Sequence, residues 1–235
     1  MGRRRLSPEQ RREALLDVGM GVFGDGSFER VSMEDIAESA GVTRRLLYHY
    51  FPTKADYFGA IWQRAHERLR LAIAEVEADS VRGRIDGALT AYLDFYETHL
   101  PLVEIANRSS VAAHAAVRGP IDRDFAALCA AFLDAAGAEG HSRVLAEVAF
   151  SAWIAFVRPA SLAALVDHRI TRDECHELCM AALDVTVGGH VDLGVTPIDG
   201  SCAESGAQRA EDDDRDRDAE QDDHGSDGPV ADPQV

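Results

Sequence analysis

A short run of this sequence, between residues 43 and 50, concentrates side chains that are well suited to hold negatively charged groups. Arg44 and Arg45 each present a fork of N–H donors, and Tyr48 and His49 follow about one helical turn later. Guanidinium groups pair with phosphate oxygens and with the edge of guanine. The combination therefore predicts contact with nucleic acid.

Two short helices joined by a tight turn are expected to position these groups. Ser32 is a good N-cap for the first helix, and Gly41 ends it because glycine tolerates the left-handed conformation of a helix end. Thr43 caps the second helix, on which Leu47 and Phe51 face back toward the first. This is the layout of a helix-turn-helix, whose second helix enters the DNA major groove. Two short amphipathic helices around a glycine also occur in many globular proteins that do not bind DNA.

The residue types in this stretch resemble those of the TetR family of bacterial transcriptional repressors, whose pattern runs IA..AGVS...LY.YF..K. The matching residues are Ile36, Ala37, Ala40, Gly41, Val42, Thr43, Leu47, Tyr48, Tyr50, Phe51 and Lys54. The match covers only the first quarter of the chain. It departs from the family at Arg45, where a small residue is usual, and at Ser27, where a glycine is usual.

The resemblance implies an all-α fold, in which a three-helix helix-turn-helix domain precedes an α-helical domain for ligand binding and dimerisation. The residues expected to contact DNA are Thr43, Arg44, Arg45, Leu46, Tyr48, His49 and Lys54. In this interpretation the two arginines reach base edges and the leucine touches a thymine methyl. The threonine, tyrosine and lysine hold phosphates, and the histidine reaches either a base or the backbone.

The net charge of −17 is distributed unevenly along the chain. Residues 201–235 hold twelve acidic residues and three arginines, whereas residues 1–12 hold five arginines and one glutamate. DNA binding requires local basic contacts and not a basic average, so the acidic total does not exclude it. We interpret residues 1–6 as a basic disordered arm that either reaches along DNA or is simply solvated.

Several other classes of protein are disfavoured by the sequence. It contains no P-loop, GxSxG or HExxH pattern, so we expect no enzyme, no catalytic residue and no cofactor. We find no uninterrupted apolar run of eighteen residues or more and expect a cytoplasmic protein without a membrane segment. Cys175, His176 and Cys179 leave open a metal or redox site, but reduced thiols packed in an apolar core account for them better, so we expect no metal.

The predicted organisation has four parts: residues 1–6, the DNA-binding domain 7–54 with its recognition helix at about 43–50, the helical domain 55–196 and the tail 197–235. A long helix from Thr53 to about Glu77 links the two domains. Further helices are predicted over Val81–His99, Leu102–Ser110, Ile121–Ala136, Ser142–Asp167 and Thr171–Val187. Pro101 and Pro120 are expected to mark breaks between helices, and Pro159 to kink or split its helix.

The helical domain contains polar and aromatic side chains among its apolar stripes. The candidate ligand-binding residues are Tyr92, Phe95, Tyr96, His99, Asn107, Arg108, His114, Phe125, Phe132 and Trp153. For each of them an ordinary place in the core is the competing interpretation. Together they are able to line an apolar cavity with a few polar anchors, which is the usual form of a small-molecule site. The family resemblance favours a small apolar effector here.

The last two helices, at about 142–187, carry apolar stripes that either complete the core of the protomer or pair with a second copy. The residues of these stripes are Leu162, Leu165, Val166, Cys175, Leu178, Cys179, Ala182 and Leu183. In the family such helices form a homodimer. A two-fold dimer presents two recognition helices about one DNA turn apart and therefore reads a palindrome.

We therefore interpret the chain as a DNA-binding transcriptional regulator, specifically a ligand-responsive repressor that binds a palindromic operator in double-stranded DNA as a homodimer. The alternative is a helical ligand-binding or protein-interaction module that keeps the helix-turn-helix only as a scaffold. The acidic tail is too poor in apolar residues to fold. It either competes with DNA for the basic arm or serves only solubility.

Overall fold

A computed structural model describes residues 6–24 and 28–197, and this part of the chain is helical, without a strand. The helices are α1 (Pro8–Val22), α2 (Met33–Ser39), α3 (Arg44–Tyr50), α4 (Lys54–Ala74), α5 (Val81–Thr98), α6 (Leu100–Arg108), α7 (Ala115–Ala135), α8 (Gly140–Leu165) and α9 (Arg172–Thr186). The all-α fold expected from the sequence is confirmed. Ser27 lies outside the described residues, as do the predicted arm and tail except for Leu6 and Pro197.

Hydroxyl side chains fix where the N-terminal helices begin. Ser7, Ser32 and Thr53 each accept a hydrogen bond from an amide three residues later, and the side chain at that later position accepts one in return. Thr43 caps α3 in the simpler form, by accepting from the Leu46 amide. These caps satisfy amides that a helix start leaves without an internal partner. The starts predicted at Ser32, Thr43 and Thr53 are confirmed.

An aromatic cluster holds α1, α2, α3 and the first half of α4 together as one head. Phe23 stacks on Phe28, and both rings meet the edge of Phe58. Ile36 from α2 and Leu47 from α3 are completely buried against this cluster. Since the buried residue on α3 is the one predicted to face α2, the remaining faces of α3 are left at the surface.

Three glycines at the end of α1 match the spacing of a dinucleotide-binding loop, GxGxxG, at Gly19, Gly21 and Gly24. That loop requires a preceding strand and a following helix, whereas Gly19 and Gly21 lie within α1 itself. The role of Gly19 is steric, because a Cβ at this position would lie 2.3 Å from Cδ1 of Ile61. The glycine therefore allows α4 to pack closely on α1.

The long helix α4 belongs to both halves of the molecule. Its first turns bury Tyr57 and Ile61 in the head, and Trp62 then contacts Phe95 of α5. Gly59 faces α7 so closely that a Cβ would lie 2.5 Å from the carbonyl oxygen of Ala116. Displacement of α7 is therefore transmitted directly to the helix that carries the head.

The order of helices in the second half agrees with the sequence prediction, but the break expected at Pro120 was wrong, and so was the possible split of a helix at Pro159. Pro120 lies inside α7, which begins at Ala115 and not at Ile121. The His114 side chain accepts a hydrogen bond from the Ala116 amide and so starts α7 well before Pro120. Pro120 is the sixth residue of α7, beyond the first turn, so it has no N–H to donate to the Ala116 carbonyl; this costs about 3 kcal/mol, which the packing of α7 offsets. Pro159 does not split its helix either, because α8 is continuous from Gly140 to Leu165.

For part of the apolar stripes on α8 and α9, the structure agrees with the first of the two interpretations, a place in the core of the protomer. Leu165, Cys175, Cys179 and Leu183 are buried within the protomer, where α8 packs along α9. The indole N–H of Trp153 donates to the carbonyl oxygen of Cys179, which ties the two helices together. These residues complete the protomer's own core, because the faces of α8 and α9 that meet each other are the ones that carry them.

A different apolar face of α8 and α9 lies at the surface. Its large members are Leu145, Val148 and Phe156 on α8 and Leu178 and Val185 on α9. Spacings of three, seven, eight and eleven residues place each set along one side of its helix. Leu178 is the large residue that belongs both to this exposed face and to the apolar stripes predicted from the sequence.

By length and composition alone, α8 is apolar enough to cross a membrane, a feature not expected from the sequence. This is weak evidence, because core helices of globular proteins meet the same criterion. One side of α8 is buried against α7 and α9 through Phe150, Trp153 and Val157. The apolar character of α8 therefore has a structural explanation in the packing of the bundle.

The close approach of α4 and α7 leads to a test of stability. Gly59→Ala places a methyl group against the Ala116 carbonyl, so we expect it to lower the free energy of unfolding by about 1–3 kcal/mol. Gly21→Ala, on α1 with open space around the added methyl, is the control and should be neutral or stabilising by up to about 1 kcal/mol. Urea denaturation measures both, and equal effects would contradict the packing described.

Candidate nucleic-acid interface

The turn between α2 and α3 aims α3 outward from the head. Gly41 has φ of +62°, the left-handed conformation that ends α2, and Thr43 is extended before α3 begins. Leu47 and Phe51 anchor α3 in the core, with exposures of 0% and 2%. Six of the seven predicted contact residues therefore share the outer surface of this one short segment. Of these, Leu46 is half-buried and the others are exposed, namely Thr43, Arg44, Arg45, Tyr48 and His49.

Arg44 already has an acidic partner within the head. Its guanidinium forms an ion pair with Glu34 of α2, and both side chains are largely exposed. An exposed pair of this kind contributes at most about 1 kcal/mol. The pair orients Arg44 along the outer surface and is weak enough for another anionic or polar partner to replace Glu34.

Lys54 lies in a different environment from the other predicted contact residues. Its ammonium donates to the carbonyl oxygens of Phe28 and Val31 at 2.9 and 2.8 Å, and lies 4.2 Å from the centre of the Phe28 ring. Two of its three N–H groups are thus used to fasten the segment before α2 to the start of α4. Lys54 positions the head, and one N–H remains for an external phosphate.

The head also makes a direct contact with the second half of the molecule. A carboxylate oxygen of Glu29 accepts a hydrogen bond from the Ser110 amide at 3.0 Å, just after α6. This hydrogen bond lowers the pKa of Glu29 below its ordinary value. This hydrogen bond and the contact between Gly59 of α4 and Ala116 of α7 connect the head to the helical domain at two points.

The family comparison agrees with this geometry. Residues 15–61 match the family model for bacterial regulatory proteins of the tetR family. A solved TetR-family transcriptional regulator from Streptomyces coelicolor superposes with a TM-score of 0.64 and 27% identity, over 78% of this chain and 85% of that one. The head is therefore similar to the DNA-binding region of the TetR family, and the fold is shared with a solved member of that family. A TetR-like regulator from Rhodococcus sp. RHA1 has a TM-score of 0.55 and 25% identity, over 78% of this chain and 100% of that one.

Curated relatives of this chain match over shorter segments. The transcriptional activator FasR of Mycolicibacterium smegmatis is 32% identical over 95 residues, which are 40% of this chain and 43% of the relative. The transcriptional repressor LfrR of the same organism is 35% identical over 81 residues, 34% of this chain and 41% of the relative. The chain thus spans less than half the length of these relatives. Both are named as regulators of transcription and neither as an enzyme.

The helical domain contains an apolar cavity with about 40 Å³ of enclosed space, within an empty region of about 480 Å³ that includes solvent at its open side. Four of the predicted ligand-binding residues line it, namely Tyr92, Phe125, Phe132 and Trp153. A neighbouring cavity with about 20 Å³ of enclosed space is lined by two more, Tyr96 and Asn107, and shares Phe125. The structure therefore brings six of the ten candidates to two adjoining cavities.

The other four candidates have different surroundings. Phe95 packs between Trp62 and His66, and His99 stacks on Phe95. Arg108 pairs with Asp167 at 2.7 Å on the surface, and His114 caps α7. These contacts explain the four residues through packing, an ion pair and a helix cap.

Sequence reasoning missed two residues of the cavities, Arg158 and His66. Arg158 lines both cavities, and His66 lines the smaller one at 5% exposure. A signal for Arg158 was available, since it is the single charged residue between positions 148 and 165. His66 gave no such signal, because a histidine on an amphipathic helix is equally compatible with the surface.

The geometry of Lys54 predicts a structural effect of its removal. Lys54→Met leaves the Phe28 and Val31 carbonyls without their donor, so we expect the free energy of unfolding to fall by about 1–3 kcal/mol. Arg45→Ala is the control, because its side chain is exposed and its removal should change stability by less than about 0.5 kcal/mol. Thermal or urea denaturation would contradict the positioning role if both variants were as stable as the parent protein.

Proposed function

We propose that this protein is a DNA-binding transcriptional regulator, acting as a ligand-responsive repressor that binds a palindromic operator as a homodimer. The observation that carries the proposal is the exposed surface of α3, which presents two arginines and a tyrosine from a rigid head. The family match and the named regulators among the relatives support the same function.

The proposed contacts follow from where each side chain lies. Arg44 and Arg45 reach base edges, with guanine as the favoured partner of a guanidinium. Arg44 exchanges Glu34 for DNA as the complex forms. Thr43 and Tyr48 donate hydroxyl hydrogens to phosphates.

The remaining three predicted contacts complete the proposed interface. Lys54 donates to a phosphate through the one N–H that the head leaves unused. Leu46 meets a thymine methyl, and His49 contacts a base or the backbone. The interface thus combines phosphate contacts, which set the register on the duplex, with base contacts, which read its sequence.

The proposed homodimer uses the exposed apolar face of α8 and α9 described above. Val148 and Val185 are 67% and 78% exposed, which is unusual for large apolar residues on two adjacent helices. An apolar face of this kind marks an interface. Two copies related by a two-fold axis would form a four-helix bundle and present their α3 helices about 34 Å apart on DNA.

The proposed response to a ligand passes through α4. A ligand in the apolar cavity contacts Ile73 near the end of α4, while Gly59 of the same helix is packed on α7. A ligand that binds better when these helices move shifts the dimer toward spacings of α3 that do not fit DNA. The extent to which repression is relieved then depends on how much more tightly the ligand binds the dimer that does not fit DNA than the dimer that does.

Substitutions on α3 test the proposed DNA contacts. Tyr48→Phe should weaken binding to all duplexes alike, because it removes a phosphate contact. Arg44→Ala should cost about 1–3 kcal/mol on the preferred sequence and relax the preference at one base position. Selection from random duplexes followed by gel shift measures both effects, with Arg68→Ala on α4 as an exposed-arginine control. Absence of binding to any duplex by the parent protein would contradict DNA binding itself.

The oligomeric state tests the proposed interface. Val148→Arg places a charge in the exposed apolar face, so the dimer dissociation constant should rise about thirtyfold or more. Leu71→Arg is the matched control, because Leu71 is 59% exposed on α4, outside that face. Sedimentation velocity over a concentration series measures the change. A monomeric parent protein, or equal effects of the two variants, would exclude this interface.

A further inference from the structure

The two interior cavities differ in chemical character and meet at Arg158. The walls of the larger cavity are apolar, apart from the hydroxyl of Tyr92 and the guanidinium of Arg158. The indole N–H of Trp153 is already donated to the Cys179 carbonyl, so it does not serve a ligand. The smaller cavity carries Tyr96, Asn107 and His66. Arg158 therefore lies where an apolar chamber adjoins a polar one.

The positive charge of Arg158 is only weakly neutralised by the protein. Its acidic neighbour is Asp122, at 3.9 Å, and the same carboxylate lies 3.9 Å from Arg118. The Asp122 side chain is 55% exposed, whereas that of Arg158 is 21% exposed. Two guanidinium groups thus share one distant, solvated carboxylate. A charge held beside an apolar cavity is costly unless a partner of opposite sign approaches it closely.

Arg118 also lines the smaller cavity, and its charge is offset by Asp122; the other polar groups around Arg158 are neutral, so the site keeps one net positive charge. Burial, reinforced by the charge of Arg158, lowers the pKa of His66 to about 3. Burial raises the pKa of Tyr92 and of Tyr96, so both remain protonated near neutral pH. Within the part of the chain that the structure describes, Nε2 of His66 has no hydrogen-bond partner, although the residue is only 5% exposed. This polar atom is available to a ligand in the smaller cavity.

We infer that the effector is an amphiphilic monocarboxylate, whose apolar body fills the larger cavity and whose carboxylate pairs with Arg158. A guanidinium holds a carboxylate through two parallel hydrogen bonds, and one negative charge matches the single excess positive charge of the site. An ammonium group would be repelled by Arg158. The inference deepens the proposed function, on which it rests for the regulatory meaning of the ligand.

Three probes that each contain a straight chain of ten carbon atoms differ in their polar group: decanoate, 1-decanol and decylammonium. Each is used below the concentration at which it forms micelles. Calorimetry on the full chain without DNA should show decanoate binding about tenfold or more tightly than decanol, and decylammonium most weakly. Equal affinities, a preference for decylammonium, or no binding of any probe would overturn the inference.

Variants of the two arginines locate the carboxylate. Arg158→Met should bind decanol as the parent protein does and lose the preference for decanoate, whereas Arg158→Lys should keep part of it. Arg118→Met is the control, because Arg118 shares Asp122 but lines only the smaller cavity. A preference that survives in Arg158→Met, or that is lost equally in Arg118→Met, would overturn the assignment.

Repeating the same titrations in the presence of DNA tests the ligand class and the proposed regulatory function separately. Decanoate that binds with the expected preference but leaves DNA affinity unchanged would support the ligand class and contradict the ligand response. A protein that binds no DNA would contradict the regulator, and the affinity ranking of the probes would still decide for or against the carboxylate site.

Discussion

The burial of α4 in both the head and the helical domain is the constraint on which the rest of the structure depends. Its first turns complete the aromatic cluster of the head, and its later turns pack on α5 and α7. Close contact is possible at Gly19 and Gly59 because neither glycine carries a Cβ. Because α4 packs closely on α1 at one end and on α7 further along, a displacement of one partner is passed along the helix, so the two halves are mechanically joined.

The head achieves a rigid outer surface with few residues. Hydroxyl caps define where α2 and α3 begin, and Leu47 and Phe51 fix the rotation of α3 about its own axis. Lys54 then fastens the segment before α2 through two carbonyl oxygens. The exposed arginines need no packing of their own, because the orientation of α3 is already determined by its buried side. Such preorganisation reduces the entropy that binding would otherwise cost.

The interior of the second half combines two requirements that normally conflict. A stable bundle favours an apolar core, yet Arg158 places a charge at the edge of that core, next to a His66 nitrogen that no described residue partners. Groups of this kind lower stability when the protein is empty and favour a ligand that supplies the missing partner. These groups are the observations on which the proposed ligand site rests.

The sequence by itself determined the order of the helices, the caps that start them and the turn that aims α3. These features are local, since a cap or a left-handed glycine is recognised from residues within one turn of each other. The tertiary structure alone decided which apolar stripe of α8 and α9 is buried, that Lys54 is held by carbonyl oxygens, and that Arg158 and His66 meet at one cavity. Each of these depends on residues far apart in the chain, and an amphipathic pattern shows that a helix has an apolar face without showing which neighbour covers it.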